Sequence, residues 1–189
     1  MDKISAIDIK KLWYADCSSI SADLTPAALA TLIAAQTTKE ILNVHQDTWT
    51  IDESEPTQDE YRNQLTGMVY RMGAKTMGSV TFNFTIGQYD FDLKADLMGG
   101  EVVKDSTVTV GWKRASGAVQ VNKVLIALTE DDVYCVLPYA NITAREANTD
   151  GAVGIAVVGT MMEPKTAGVK PEYWFDGTIA ALTTTLPQA

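Results

Sequence analysis

The chain has 189 residues, long enough for a single domain with its own core, and its 46% hydrophobic and 21% charged residues are those of a globular protein, neither disordered nor collagen-like. Fifteen basic against 24 acidic side chains leave a formal net charge of −9, so the molecule as a whole repels phosphate backbones and tight nucleic-acid binding is disfavoured. No stretch approaches the roughly 18 consecutive apolar residues of a membrane-spanning helix, and Asp8, Lys10 and Lys11 break up the N-terminal apolar residues, which argues against a secretory signal.

In chain order, the first predicted element is a helix in LTPAALATLIAAQ, residues 24–36. Thr25 is placed to cap it, Pro26 to start it, and Leu29, Leu32 and Ile33 share a face that can lie on a sheet. A strand-like run ends at Trp49 and Ile51, followed by an acidic stretch that packs Asp52, Glu53, Glu55, Asp59 and Glu60 into nine positions. A long hairpin is then predicted from Tyr61 to Ile86, with MGAKTMG at its tip. Its second arm, SVTFNFTI, alternates Val80, Phe82, Phe84 and Ile86 with Thr81, Asn83 and Thr85, the pattern of a half-buried strand.

YDFDLKADLMGG reads as one short helix with acids in its first turn and Gly99 at its C-terminal cap. STVTVGW reads as a strand with Val108, Val110 and Trp112 on one side, and GAVGIAVVGTM as another strand. Between them, VQVNKVLIALTEDDVYCVLP reads as two strands joined by a tight acidic turn at Thr129 to Asp132. The remainder is expected to be an extended tail, with Tyr173, Trp174 and Phe175 anchored on something apolar and residues 178–189 flexible. The expected architecture is a single mainly β domain over residues 1–189, a two-sheet antiparallel sandwich or barrel with one or two flanking helices and a long extended hairpin.

Chemistry was sought first in the acidic stretch. A calcium loop of the EF-hand kind needs oxygen ligands at alternate positions and Gly at the sixth; counted from Asp52 these fall on Ser54, Pro56 and Thr57, and the pattern fails. Asp, Glu, Ser and Pro together are the ordinary composition of a solvated connection, which is the reading adopted. His45 is the only histidine and has no G-x-S-x-G elbow beside it. With Cys17 and Cys135 it could make a zinc site only at spacings that zinc motifs do not use. The two cysteines read as buried free thiols, with a single disulfide as the alternative. GMVYRMGAKT misses the phosphate-loop spacing and reads as a hairpin tip. Trp49, Trp112 and Tyr134 lie in strand-like runs, where a core role is commoner than a sugar platform. No catalytic residue, metal, cofactor or small-molecule substrate is expected.

The order of elements resembles that of phage tail tube proteins, most closely the tail tube-like family of Bacteroidetes phages and prophages. It rests on TWTIDESEPTQDEYRNQLTGMVYRMG, KTMGSVTFNFTIGQYDFDLKADLMGGEVV, VNKVLIALTEDDVYCVLPYANITAREANTDGAVGIAVVGTMMEP and PEYWFDG, roughly residues 36 to 177. The segment 23–36 departs from the compact tube proteins and reads as a possible helical insertion. The resemblance implies two packed antiparallel sheets, six copies closing into a ring whose sheets form an inner barrel, and rings stacking into a tube. Such a ring would carry about −54 charges and let DNA pass without sticking. The hairpin would reach neighbouring subunits through Tyr61, Leu65, Met68, Tyr70, Met72 and Met77. The implied partners are further copies of the chain, a tape-measure protein and a tail terminator; the implied location is the virion tail, and the host cytoplasm during assembly. Two alternatives are the inner tube of a contractile injection or type VI secretion-like system and a β-sandwich carbohydrate-binding module.

Overall fold

The structure, a computed structural model, describes residues 5–183. In chain order it contains β1 (Ile9–Asp16), a 3-10 turn (Cys17–Ser19), α1 (Pro26–Ala34), β2 (Lys39–Glu40), β3 (Thr50–Glu53), β4 (Thr57–Arg62), β5 (Val69–Thr76), β6 (Val80–Ile86) and α2 (Phe91–Met98). There follow β7 (Glu101–Asp105), β8 (Val108–Lys113), β9 (Val121–Thr129), β10 (Val133–Thr149), β11 (Ala152–Met161), β12 (Tyr173–Asp176) and α3 (Ala180–Thr183). The protein is mainly β with a few short helices, and every strand pairing is antiparallel.

Eight strands form one sheet in the order β2-β1-β9-β10-β11-β6-β3, with β12 also on β10. The expected pair of separate sheets is therefore replaced by a single one, and chain geometry requires it to curl. Glu40 pairs with Trp13 on the outer edge of β1, and four residues later Val44 bridges to Ile86 on the outer edge of β6. In a flat sheet those edges would lie six strand spacings apart, about 29 Å. Four residues reach about 14 Å at most. The two edges meet only because the sheet rolls toward closure, and backbone bonds from Ile41 N to Leu12 O and from His45 N to Thr85 O stitch the seam.

β10 makes the roll possible. Its first half pairs with β12 and its second with β11 along the same side, and the register against β9 slips between Leu137 and Ala140. Pro138, which has no N–H to offer a ladder, sits in that slip, where a bulge bends the strand. At the far end Asp150 and Gly151 both have positive φ, the two-residue turn that suits the twist of a β10–β11 hairpin.

Two cores result. Inside the roll, Phe82, Phe84, Ile86, Leu125, Leu137 and Ile155 pack with Leu97 of α2. Outside it, Val124, Ile126, Tyr134 and Val136 are covered by Leu29 and Leu32 of α1 and by Leu182 of α3. The continuous apolar run of β9 follows from this arrangement, since a strand covered on both faces has no polar side to show. Thr25 caps α1 as expected, accepting from Ala28 N at 3.2 Å, and the helix is part of the second core. Asp90 caps α2, which ends at Gly99 with φ 71°.

Of the C-terminal segment expected to be flexible, residues 178–189, the structure describes 178–183, where Leu182 is buried in the second core; residues 184–189 lie outside the described residues. Tyr173 and Phe175 are anchored as expected, on the second core through the β12–β10 pairing, whereas Trp174, expected with them, alternates to the other side of β12 and is exposed. STVTVGW forms a strand as expected, and its Val108 and Val110 are exposed, because β8 pairs with β7 in a separate two-stranded ribbon beside α2. The tip of the long hairpin is corrected, and it defines the site below.

Candidate functional site

The hairpin does not turn at MGAKTMG. It runs from β3 and β4 out to a turn at residues 63–68 and returns along β5 and β6, so that MGAKTM lies in and just beyond the returning strand. The halves differ in partners. β3 and β6 belong to the rolled sheet, whereas β4 and β5 pair only with each other. The six residues of β4, five of them paired across to β5, and the turn project from the body as an arm of roughly 25 Å.

The arm is well defined locally. At its neck, Ser54 N donates to Ser79 O at 3.0 Å and Ser79 N donates to Ser54 Oγ at 2.8 Å. Gly78 allows this approach, since a Cβ there would fall 1.7 Å from Ser54 O. At the tip, Asn63 N donates to Met68 O, Gly67 N to Asn63 O, and Leu65 N to Asn63 Oδ1, each at 2.8 Å. Gly67 takes the positive φ of 71° that closes the turn.

Its surface is apolar and open. Leu65 is 94% exposed and Met77 80%, while Met68 and Tyr70 are each 69% exposed; Tyr61 and Met72 are also exposed. The structure thus gathers all six residues singled out from the sequence on one projection, with Val69 beside them. They occupy both faces. Tyr61 opposes Arg71, whose guanidinium lies 5.3 Å from the ring centre, and Glu60 opposes Met72. Directly opposed residues share a face and neighbours alternate, so Tyr61 and Met72 point to opposite sides. Covering one face would leave the other wet.

The acidic stretch straddles the neck. Asp52 and Glu53 close β3, Glu55 lies in the connection, and Asp59 and Glu60 begin the arm; all five are exposed. Asp52 accepts from Thr50 Oγ1 at 2.8 Å and Glu60 pairs with Arg62. Among the described residues no group of three or more His, Cys, Asp or Glu could hold a metal ion. His45 sits on the seam, with Nε2 3.4 Å from Asp150 Oδ2. Cys17 and Cys135 are both free; burial pushes the Cys17 thiol up to about 11 and also raises that of Cys135. Trp49 packs edge-on against Phe82, Tyr134 is buried, and Trp112 donates to Gly99 O at 2.9 Å.

The charge of the arm is a further signal. Residues 57–76 carry Arg62, Arg71 and Lys75 against Asp59 and Glu60, a formal +1 in a chain of −9, which leaves −10 on the remainder; beyond Glu60 the arm has no acid. Counting charge by segment would have found it. No protein-family model matches the chain, and a search of curated proteins finds no match.

Proposed function

We propose that this protein is a structural subunit that assembles with copies of itself through the β4–β5 arm, in the manner of a phage tail tube: rings of six copies stacked into a hollow tube through which DNA passes. The arm is the observation that carries this reading. A two-stranded ribbon alone in water is marginal, and large apolar side chains on both of its faces are the composition of a segment buried between two surfaces. In the body the sheet is rolled, the inner core is filled and the outer core is covered by helices, and the other exposed apolar side chains, among them Leu42, Val108, Val110 and Trp174, are spread over several elements.

Methionine and tyrosine suit such a contact, the first because it adapts to irregular surfaces and the second because it buries much area for little lost entropy. The acidic body fits a conduit that does not hold DNA. No catalytic residue takes part; the partners on this reading are further copies of the chain, with a tape-measure and a terminator protein at the ends of the tube.

Native mass spectrometry and negative-stain microscopy of the concentrated protein test it. Rings or tubes are expected from the unaltered chain, and a folded monomer from Leu65→Ser/Tyr70→Ser/Met72→Ser. A strictly monomeric unaltered protein at every concentration, with or without other tail components, would overturn the proposal.

A further inference from the structure

The arm has a counterpart on the same molecule. An open groove of about 750 Å³ lies between Lys39–Asn43 and the start of α2. Its walls combine Leu42, 89% exposed, with Tyr89 and Leu93, and carry the exposed carboxylates Glu40, Asp90 and Asp92. Its one lysine, Lys39, is engaged with Asp96, and Glu40 lies 3.5 Å from Lys11, a surface pair that an incoming arginine can exchange, as Arg62 can exchange Glu60. The groove is thus apolar and acidic, where the arm beyond Glu60 is apolar with Arg62, Arg71 and Lys75 as its charges.

Position decides who can meet whom. The arm leaves the body at the Val80 end of β6, and the groove opens just past the Ile86 end, where Gln88 and Tyr89 follow and Leu42 and Asn43 flank the Val44 bridge. Seven residues of strand, roughly 20 Å, separate the two. No arm residue lines the groove of its own molecule.

We infer that the arm of one copy docks in the groove of the next, with Leu65 and Met68 on Leu42, Tyr89 and Leu93, and Arg62 and Arg71 against Glu40 and Asp92. The inference rests on the assembly reading above and adds to it the receiving surface and the polarity. Two different patches meeting head-to-tail form a heterologous contact, which closes into rings or grows into filaments. Opposite charges steer the encounter and set its register.

Charge reversal tests it. Arg62→Glu/Arg71→Glu makes the arm acidic, and Glu40→Lys/Asp92→Lys makes the groove basic; all four side chains are exposed, and circular dichroism checks that both variants fold. By sedimentation velocity each variant alone is expected to need at least about tenfold more protein to assemble than the unaltered chain. An equimolar mixture is expected to recover assembly, because each variant's arm then meets a groove of opposite sign. Folded variants that assemble normally alone, or a mixture that does not recover, overturn the docking site. If Leu65→Ser/Tyr70→Ser/Met72→Ser still abolishes assembly in that case, self-assembly through the arm stands and only the groove is wrong; if it does not, both fall. Duplex DNA bound by the unaltered monomer and lost on reversing the arm would also overturn the inference, by assigning the arm to nucleic acid.

Discussion

Strands β5 and β6 follow one another in the same hairpin, yet one is core and the other is surface. In β6 the apolar residues alternate strictly, and Phe82 and Ile86 are fully buried. In β5 the apolar residues Val69, Tyr70 and Met72 fall on both sides and all are exposed. The difference lies in pattern more than in hydrophobic content. A strand with one apolar face is satisfied by one sheet, whereas a ribbon with two asks for a cover on each side. The hairpin therefore changes character at its neck, from intramolecular to intermolecular packing.

Substitutions can break or sharpen this contrast. The largest effect on stability is expected from Phe82→Ala, which empties a site shared with Trp49 and Phe84 and should cost about 3–5 kcal/mol in urea denaturation. Tyr70→Ser in the arm should shift the same midpoint by less than about 0.5 kcal/mol; equal losses at the two sites would erase the distinction. Gly78→Ala comes next. Its Cβ would strike the Ser54 carbonyl, and forcing the strands apart should cost about 1–3 kcal/mol and speed amide exchange in the arm while leaving β9 and β10 protected.

The smallest effect concerns the pin that holds α2 and the β7–β8 ribbon to the body. Lys94 is buried between Tyr89 and Trp112, with its ammonium 4.5 Å from the Trp112 ring centre, and bonds Glu146 on β10 at 2.7 Å. That hydrogen bond, followed by the lysine's charge, holds the Glu146 carboxyl below its ordinary value of 4.5. A lowered carboxyl favours the folded state above the ordinary value and loses that contribution as pH falls through the folded one. Acidification below about pH 4.5 should loosen this corner before the rest, read as a change in Trp112 fluorescence that Glu146→Gln abolishes.

Much of this was legible in the chain. The cap of α1, the acidic first turn of α2 with Gly99 at its end, the alternation of β6 and the acidic turn between β9 and β10 are local effects of backbone and solvent. β1 escaped notice because Leu12, Trp13, Tyr14 and Ala15 are all buried, two toward each core, and a strand covered on both faces shows no period of two. The hairpin turn was misplaced because glycines were read as turn formers. Gly78 is there for close approach, and the turn is made by Asn63 and Gly67. Asp150-Gly151 was the overlooked signal for the β10–β11 turn.

The six apolar residues fall together on the arm although its turn lies elsewhere than the glycines suggest, because a cluster of Met, Tyr and Leu without strict alternation is itself a property of the sequence. Composition, charge and periodicity by themselves determined a mainly β protein with two capped helices and an apolar stretch that its own core had no pattern to absorb. Tertiary structure alone decided that the sheet rolls until β1 and β6 meet, and that the basic arm and the acidic groove fall at opposite ends of β6. Those outcomes depend on pairings between residues far apart in the chain, where the geometry of strand spacing and chain reach takes over from local preference.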